Sequence, residues 1–501
     1  MHSDSIANSV PCKGVRLFVA TVVDLPCPSF TAAMTRSTSA YSAKIAQFCF
    51  SLGFLGLVLF GFRSMMFGSN TKIGMIFGVC LLGAAVLRLG SRYWLLSAFC
   101  FGLNHKIPYV KFTGAELGAL VLVSTFFFRQ ALHLDRLFIS RKPLVWAAIP
   151  FLTWMCLVWS MNPTGMFIFG SSSIGGRFYF KVILAFFSML CLSRVLFSEI
   201  DCKLLGVSFL SGHLFSMLSG FLFGNVESSL YSPGTHYVFI PFSYLASFFL
   251  CRFSIPEMLR HFWPFVSFFC ALFLAIYSGN RTAAARPILV GLLAALHFRQ
   301  DRVKTFGLLL CAAFFLVILT AGQGRAWNLP FAVQRSLSFL PGKWDLRLES
   351  YGFNDDFRSE LRYWAKEHIK ADPWFGDGGF SLNQEAMVWT NSNRSQDSIN
   401  LHVLSRNWHN VWLGMAADFG VPLSIGWGWF MLVLMYSGLL GVRGLPMNSW
   451  WETMYLYFYF LILVEFVNGF FQGGHSALTA ERFFLWAGLL MAVRNGVPER
   501  A

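Results

Sequence analysis

Long apolar runs, many of 15–22 residues, recur through most of this 501-residue chain. An apolar helix of that length approaches the thickness of a bilayer core, where only structures that satisfy their own backbone groups are stable. The runs are continuous rather than alternating with period two, which argues against a β-barrel. Hydrophobic residues make up 56% of the chain and charged residues 13%, about half the charge content of soluble domains. The expected fold class is therefore an all-α polytopic membrane protein.

Candidate spans fall at about 46–62, 73–87, 93–103, 113–128, 144–161, 178–193, 204–223, 236–251, 262–277, 283–297 and 305–321. After a long polar stretch come 421–440, 450–468 and 479–495. These give 12–14 transmembrane helices, depending on whether 93–103 crosses and whether an early pair is re-entrant. Residues 1–45 lack a continuous apolar core of the kind a signal peptide carries, so they read as a cytosolic tail, with Met34 an alternative start. The division expected is a tail at 1–45, a bundle at 46–321, a large outer loop at 322–420, C-terminal helices at 421–495 and a tail at 496–501.

The net charge is +15, yet the basic residues concentrate in short connections such as Arg129/Arg136/Arg141/Lys142 and Arg299/Arg302/Lys304. That pattern orients a membrane protein rather than marking a nucleic-acid surface. It puts both termini in the cytosol, and Ser278–Thr282 together with 322–420 on the outer face. Within the spans, Glu116, Lys181 and Glu465 stand out as ionisable. Lys181 lies near a span end and can snorkel. Glu116 and Glu465 are open to either an internal ion pair or a functional role. None of the 11 cysteines follows Cys311, so the loop holds neither a disulfide nor a cysteine metal site.

The loop carries 10 Lys/Arg, 11 Asp/Glu and seven of the 17 tryptophans. A helix should start near Asn354 or Asp355 and stop before Pro373. On it Arg358 and Arg362 share a face, and guanidinium groups can grip phosphate bidentately. Ordinary surface contacts such as Arg358–Asp355 or Arg362–Glu360 are the other reading. Gly376, Gly378 and Gly379 then permit positive φ and close backbone approach to a ligand. His409, at a helix start, is kept neutral by the macrodipole and suits a general base, or else bonds a nearby carbonyl. Arg281 joins two spans at the outer mouth, where it can meet a lipid diphosphate or a headgroup. No Asp-x-Asp motif and no His/Cys cluster appears, so no metal or other cofactor is expected.

Three motifs, in order, resemble those of the O-antigen ligase / O-antigen polymerase superfamily of membrane glycosyltransferases. They are Ser278-Gly-Asn-Arg281 between two spans; Arg358 followed fifteen residues on by Pro373-Trp-Phe-Gly376-Asp-Gly378; and His409-Asn410, nine residues, Gly420. Where the family has a further glycine the chain has Leu423. Val158-Trp-Ser-Met-Asn-Pro163 is similar to the end of an early span in that family. The resemblance implies a GT-C-like fold with one large helical periplasmic loop, in the bacterial inner membrane. It implies an inverting, metal-independent transfer from an undecaprenyl-diphosphate-linked glycan to a lipid A-core or glycan acceptor. His409 would be the catalytic base, with Arg281, Arg358 and Arg362 binding the diphosphate. Gly376, Gly378, Asn410 and Gly420 would support the site. A polymerase joining lipid-linked repeat units is the alternative within the family. A transporter or flippase, or an envelope scaffold, is the alternative outside it.

Overall fold

The computed structural model describes residues 89–103, 113–131, 143–162, 176–223, 236–277, 281–297, 302–337, 340, 342–345, 355–379, 403, 408, 410–470 and 476–498. The expected spans at 46–62 and 73–87 lie outside them. Among the described residues the regular structure is helical and no strand forms. In chain order the helices are α1 (Trp94–Gly102), α2 (Gly114–Ala131), α3 (Pro143–Met161), α4 (Gly176–Leu192) and α5 (Glu199–Phe223). Then come α6 (His236–Arg252), α7 (Phe262–Tyr277), α8 (Arg281–His297), α9 (Arg302–Ala321) and α10 (Phe331–Leu337). The loop supplies α11 (Asp355–Ala371) and α12 (Val411–Phe419), and the chain ends with α13 (Val421–Val442), α14 (Trp450–Asn468) and α15 (Ser476–Asn495).

Among the described residues three helices are long and apolar enough to cross a membrane, Pro143–Met161, Val303–Ala321 and Val421–Val442, with Phe262–Ala275 and Arg286–His297 shorter and apolar. The expected span at 93–103 is only the nine-residue α1, about 14 Å of helix against some 30 Å of hydrocarbon. On α9, Val303, Leu310, Phe314 and Phe315 are all strongly exposed. Water would penalise such a surface and lipid would not, so the exterior reads as a membrane protein's.

The core is organised on α14. Every residue from Thr453 to Ile462 is buried, the mark of a helix surrounded by others. It packs against α5, α6, α8, α13 and α15, while α15 packs along α4. Where α1 meets α5, Gly102 and Gly212 each back onto the other helix's backbone, leaving no room for a Cβ; small residues give membrane helices this closeness.

Two carboxylates inside this apolar bundle are paired with cations. Glu116 accepts from Arg177 Nη2 at 2.8 Å and faces Lys181 Nζ at 3.1 Å. Lys181 is 4% exposed, so it does not snorkel: a carboxylate within reach offsets its desolvation better than a stretched side chain could. Glu465 pairs with Arg286 on α8. At the other end of the same two helices His297 Nε2 lies 2.9 Å from Glu452 Oε1. Two polar ties thus fix α8 antiparallel to α14. Arg286, Glu481 and Arg482 also lie within the apolar helices, beyond the three ionisable residues that stood out in the sequence. Glu116→Ala should strand two buried cations and destabilise the protein by about 3–5 kcal/mol. Thermal unfolding in detergent measures this, and a midpoint equal to wild type would contradict it.

Candidate active site

Several chain ends meet at one end of the bundle. Helices α4, α8, α13 and α15 start there and α3 and α14 finish there, and the polar segment docks onto them. Its first element is α11, whose Leu361 and Ala365 are fully buried, Ala365 in a small cluster with Trp408 and Ala417. The spacing of those positions is one helical stripe. Arg362 lies off that stripe and is exposed; among the described residues it makes no contact with Glu360. Arg358 falls on the first turn of α11, but its side chain lies outside the described residues.

As expected, α11 stops just before Pro373, at Ala371. The Asp372 carboxylate accepts from the backbone N–H of Trp374 at 3.1 Å and of Phe375 at 2.9 Å, an Asx turn that reverses the chain. The glycines then lay the turn against the end of α12. The Asp377 N–H donates to the Ala417 carbonyl at 2.9 Å, the Gly379 N–H to the Asp418 carbonyl at 2.6 Å, and the Val421 N–H to the Pro373 carbonyl at 2.9 Å. Gly376, Gly378, Gly379 and Gly420 have φ of 59°, 79°, 76° and 85°, a region L side chains rarely enter. A Cβ on Gly376 would strike the Ala417 carbonyl, and one on Gly420 the Trp374 carbonyl. The close approach that these glycines permit in this structure is of protein to protein.

The bundle supports the turn from below. Trp154 of α3 stacks on Phe375 with ring centroids 5.5 Å apart, and its Nε1 donates to the Phe419 carbonyl at 3.0 Å. Asn162, from the Trp-Ser-Met-Asn-Pro stretch, lies against Gly378, and Tyr179 of α4 lies against Gly379.

Asn410 is the most heavily used side chain of the expected set. Its Oδ1 accepts from the Trp412 and Leu413 N–H groups, both at 3.0 Å, capping α12. Its Nδ2 donates to the Phe470 carbonyl at 3.3 Å, and the Val411 N–H donates to the Gly469 carbonyl at 2.9 Å. The preceding Trp408 is buried, with Nε1 donating to Asp418 Oδ1 at 3.0 Å. His409, between these two anchored residues, lies outside the described residues. Arg281 is placed by its backbone as the first residue of α8; its side chain, too, lies outside them.

The sequence reading missed His368 and Asp377. His368 Nδ1 lies 2.8 Å from the Asp377 carboxylate, and its ring packs edge-on to Trp408 at 5.2 Å. The pair ties α11 to the glycine turn. The nine-residue separation carries no periodic signal, because a reversal of the chain brings the two together.

Residues 266–428 match the family model described as O-antigen ligase. That match supports the O-antigen ligase / O-antigen polymerase superfamily. Among curated proteins none matches it. The superfamily domain runs from within α7 into α13 and takes in every expected site residue from Arg281 to Gly420. Trp154, Asn162, Tyr179 and the end of α14, which brace those residues, come from outside it. Gly420→Ala should push the turn off α12. The expected results are a cost of at least 1–3 kcal/mol from the forced backbone conformation and faster proteolysis near 372–379. Asn410→Ala should cost about 1 kcal/mol as a lost cap, with Asn410→Ser restoring most of it. Chemical denaturation of the purified variants measures both.

Proposed function

We propose that the protein is a glycosyltransferase of surface-polysaccharide assembly that moves a polyprenyl-diphosphate-linked glycan onto an acceptor hydroxyl at the periplasmic face of the inner membrane. The reading rests on one observation. The residue after His409 is bonded to the end of α14, and α14 is ion-paired through Glu465 to α8, the helix that Arg281 begins. The proposed base and the proposed phosphate ligand are thus carried on one braced unit.

In this reading the acceptor oxygen attacks the anomeric carbon and the bond from that carbon to the diphosphate oxygen breaks. The acceptor proton passes to His409, and polyprenyl diphosphate departs with the bonding electrons. A single displacement with one base inverts the anomeric centre. Arg281, with Arg358 and Arg362 from α11, meets the charge that grows on the leaving diphosphate, as preorganised donors do at developing anions. The N-termini of α4, α8, α13 and α15 add positive dipole ends on the same side. The donor is an undecaprenyl-diphosphate-linked glycan, and the acceptor a lipid A-core or another glycan.

The test is the envelope glycan profile of a host carrying His409→Ala, with transfer measured on purified protein. The rate should fall on the order of 10²–10⁴. Full-length glycan stranded on the lipid carrier beside bare acceptor marks a ligase. Transferred single repeat units without a ladder mark a polymerase. An unchanged profile removes His409 as the base. Arg281→Lys should also lose most activity, because an ammonium cannot form the paired donors of a guanidinium.

A further inference from the structure

Helix α15 is buried along nearly its whole described length, with one interruption. Ala480 and Glu481 are buried, as is every residue from Phe483 to Val493, yet Arg482 between them is exposed. A helix with a lipid-facing side shows exposure again three and four residues on, because those positions share a face. Leu485, Trp486 and Leu489 are instead buried. The exposure of Arg482 is therefore local, a single opening in the buried face that the described residues of α15 present.

That opening is near the docked loop. Arg482 lies six residues into α15, about 9 Å along the helix from its start. It acts electrostatically on Glu465 of α14, on Glu481 and on His213 of α5. Glu465 already has its cation in Arg286. Glu481 lies within the field of Glu116, Arg177 and Lys181. Arg482 thus joins two buried charge groups into one. Among the described residues the joined group holds four cationic side chains, Arg177, Lys181, Arg286 and Arg482, against the carboxylates Glu116, Glu465 and Glu481. The buried members balance, three cations against three carboxylates, and the exposed Arg482 adds one positive charge in excess. Neither a hydrogen bond nor an ion pair holds the Arg482 guanidinium among the described residues, and the buried Arg286 Nε has no hydrogen-bond partner there.

We propose that Arg482 is a further phosphate-binding residue, reaching the diphosphate of the lipid-linked donor from the last helix and from beneath the loop. The inference rests on the donor class argued under Proposed function. It adds a contact from outside the matched 266–428 segment, on a helix packed against α4, α12 and α14. The excess charge is the recognition element. A diphosphate neutralises it, whereas a neutral polyprenyl alcohol does not.

The test uses the full-length protein in nanodiscs, with farnesyl diphosphate as probe and farnesol as the uncharged control. Wild type should bind the diphosphate and not the alcohol. Arg482→Ala should weaken that binding on the order of tenfold to a hundredfold, the worth of one charge-assisted hydrogen bond. In transfer assays the change should appear as a raised KM for the donor with kcat changed much less. Arg482→Lys should recover part of the affinity, which a purely structural role would not predict. Unchanged farnesyl diphosphate binding in a folded Arg482→Ala protein overturns the inference and leaves the donor class standing. So does a loss of affinity that appears only when anionic phospholipid is varied, since that marks a headgroup contact. Failure of wild type to bind any polyprenyl diphosphate overturns the donor class itself.

Discussion

A charged group inside an apolar bundle persists only with an opposite charge against it. In this protein that requirement decides which helices are neighbours. Glu116 binds α2 to α4 through Arg177 and Lys181. Glu465 binds α14 to α8 through Arg286, and Glu452 meets His297 where the same two helices end. Shape packing among Phe, Leu and Tyr side chains fills the space between them but is tolerant of register. The ion pairs are not, because moving a partner by one turn leaves a bare charge in a medium that cannot solvate it. The depth of the helices against each other is set at these points, and with it the level at which the loop is received.

The loop end depends on that level in turn. Asn410 reaches the last carbonyls of α14, Trp154 reaches the last carbonyl of α12, and Asn162 and Tyr179 meet the glycine turn. Each of these contacts is short and directional. A bundle whose helices slid by a few ångströms would break several at once. The buried pairs are therefore remote from the docked loop and still part of what positions it.

Much of the scaffold could be read from residue order, and the reasons are local. The stop of α11 before Pro373 follows from proline sterics. The cap at Asn410 and the positive φ at Gly376, Gly378 and Gly420 follow from what those residues alone can do. Pairings across the chain were not legible. Glu116 and Arg177 are 61 residues apart, and Arg286 and Glu465 are 179 apart. Nothing in a single sequence couples positions at such distances. Lys181 was misread for the same reason: without its partner in view, snorkelling is the cheaper guess. The glycines' conformation was legible, because φ is intrinsic to the residue; the protein groups they pack against were not, because the contact is not. The singular exposure of Arg482 emerges only once the rest of α15 is buried around it.

The three backbone hydrogen bonds between 373–379 and 417–421 also act as a clasp. The chain leaves one small platform after Gly379 and is back on it at Val403 and Trp408, and the clasp itself is made by backbone on either side of that stretch. Lengthening or shortening that stretch changes chiefly the entropy of closing a loop, roughly 0.6 kcal/mol for each doubling. The length of that stretch can thus vary at little cost in stability, while Trp408 and Asn410 stay anchored where the bundle put them.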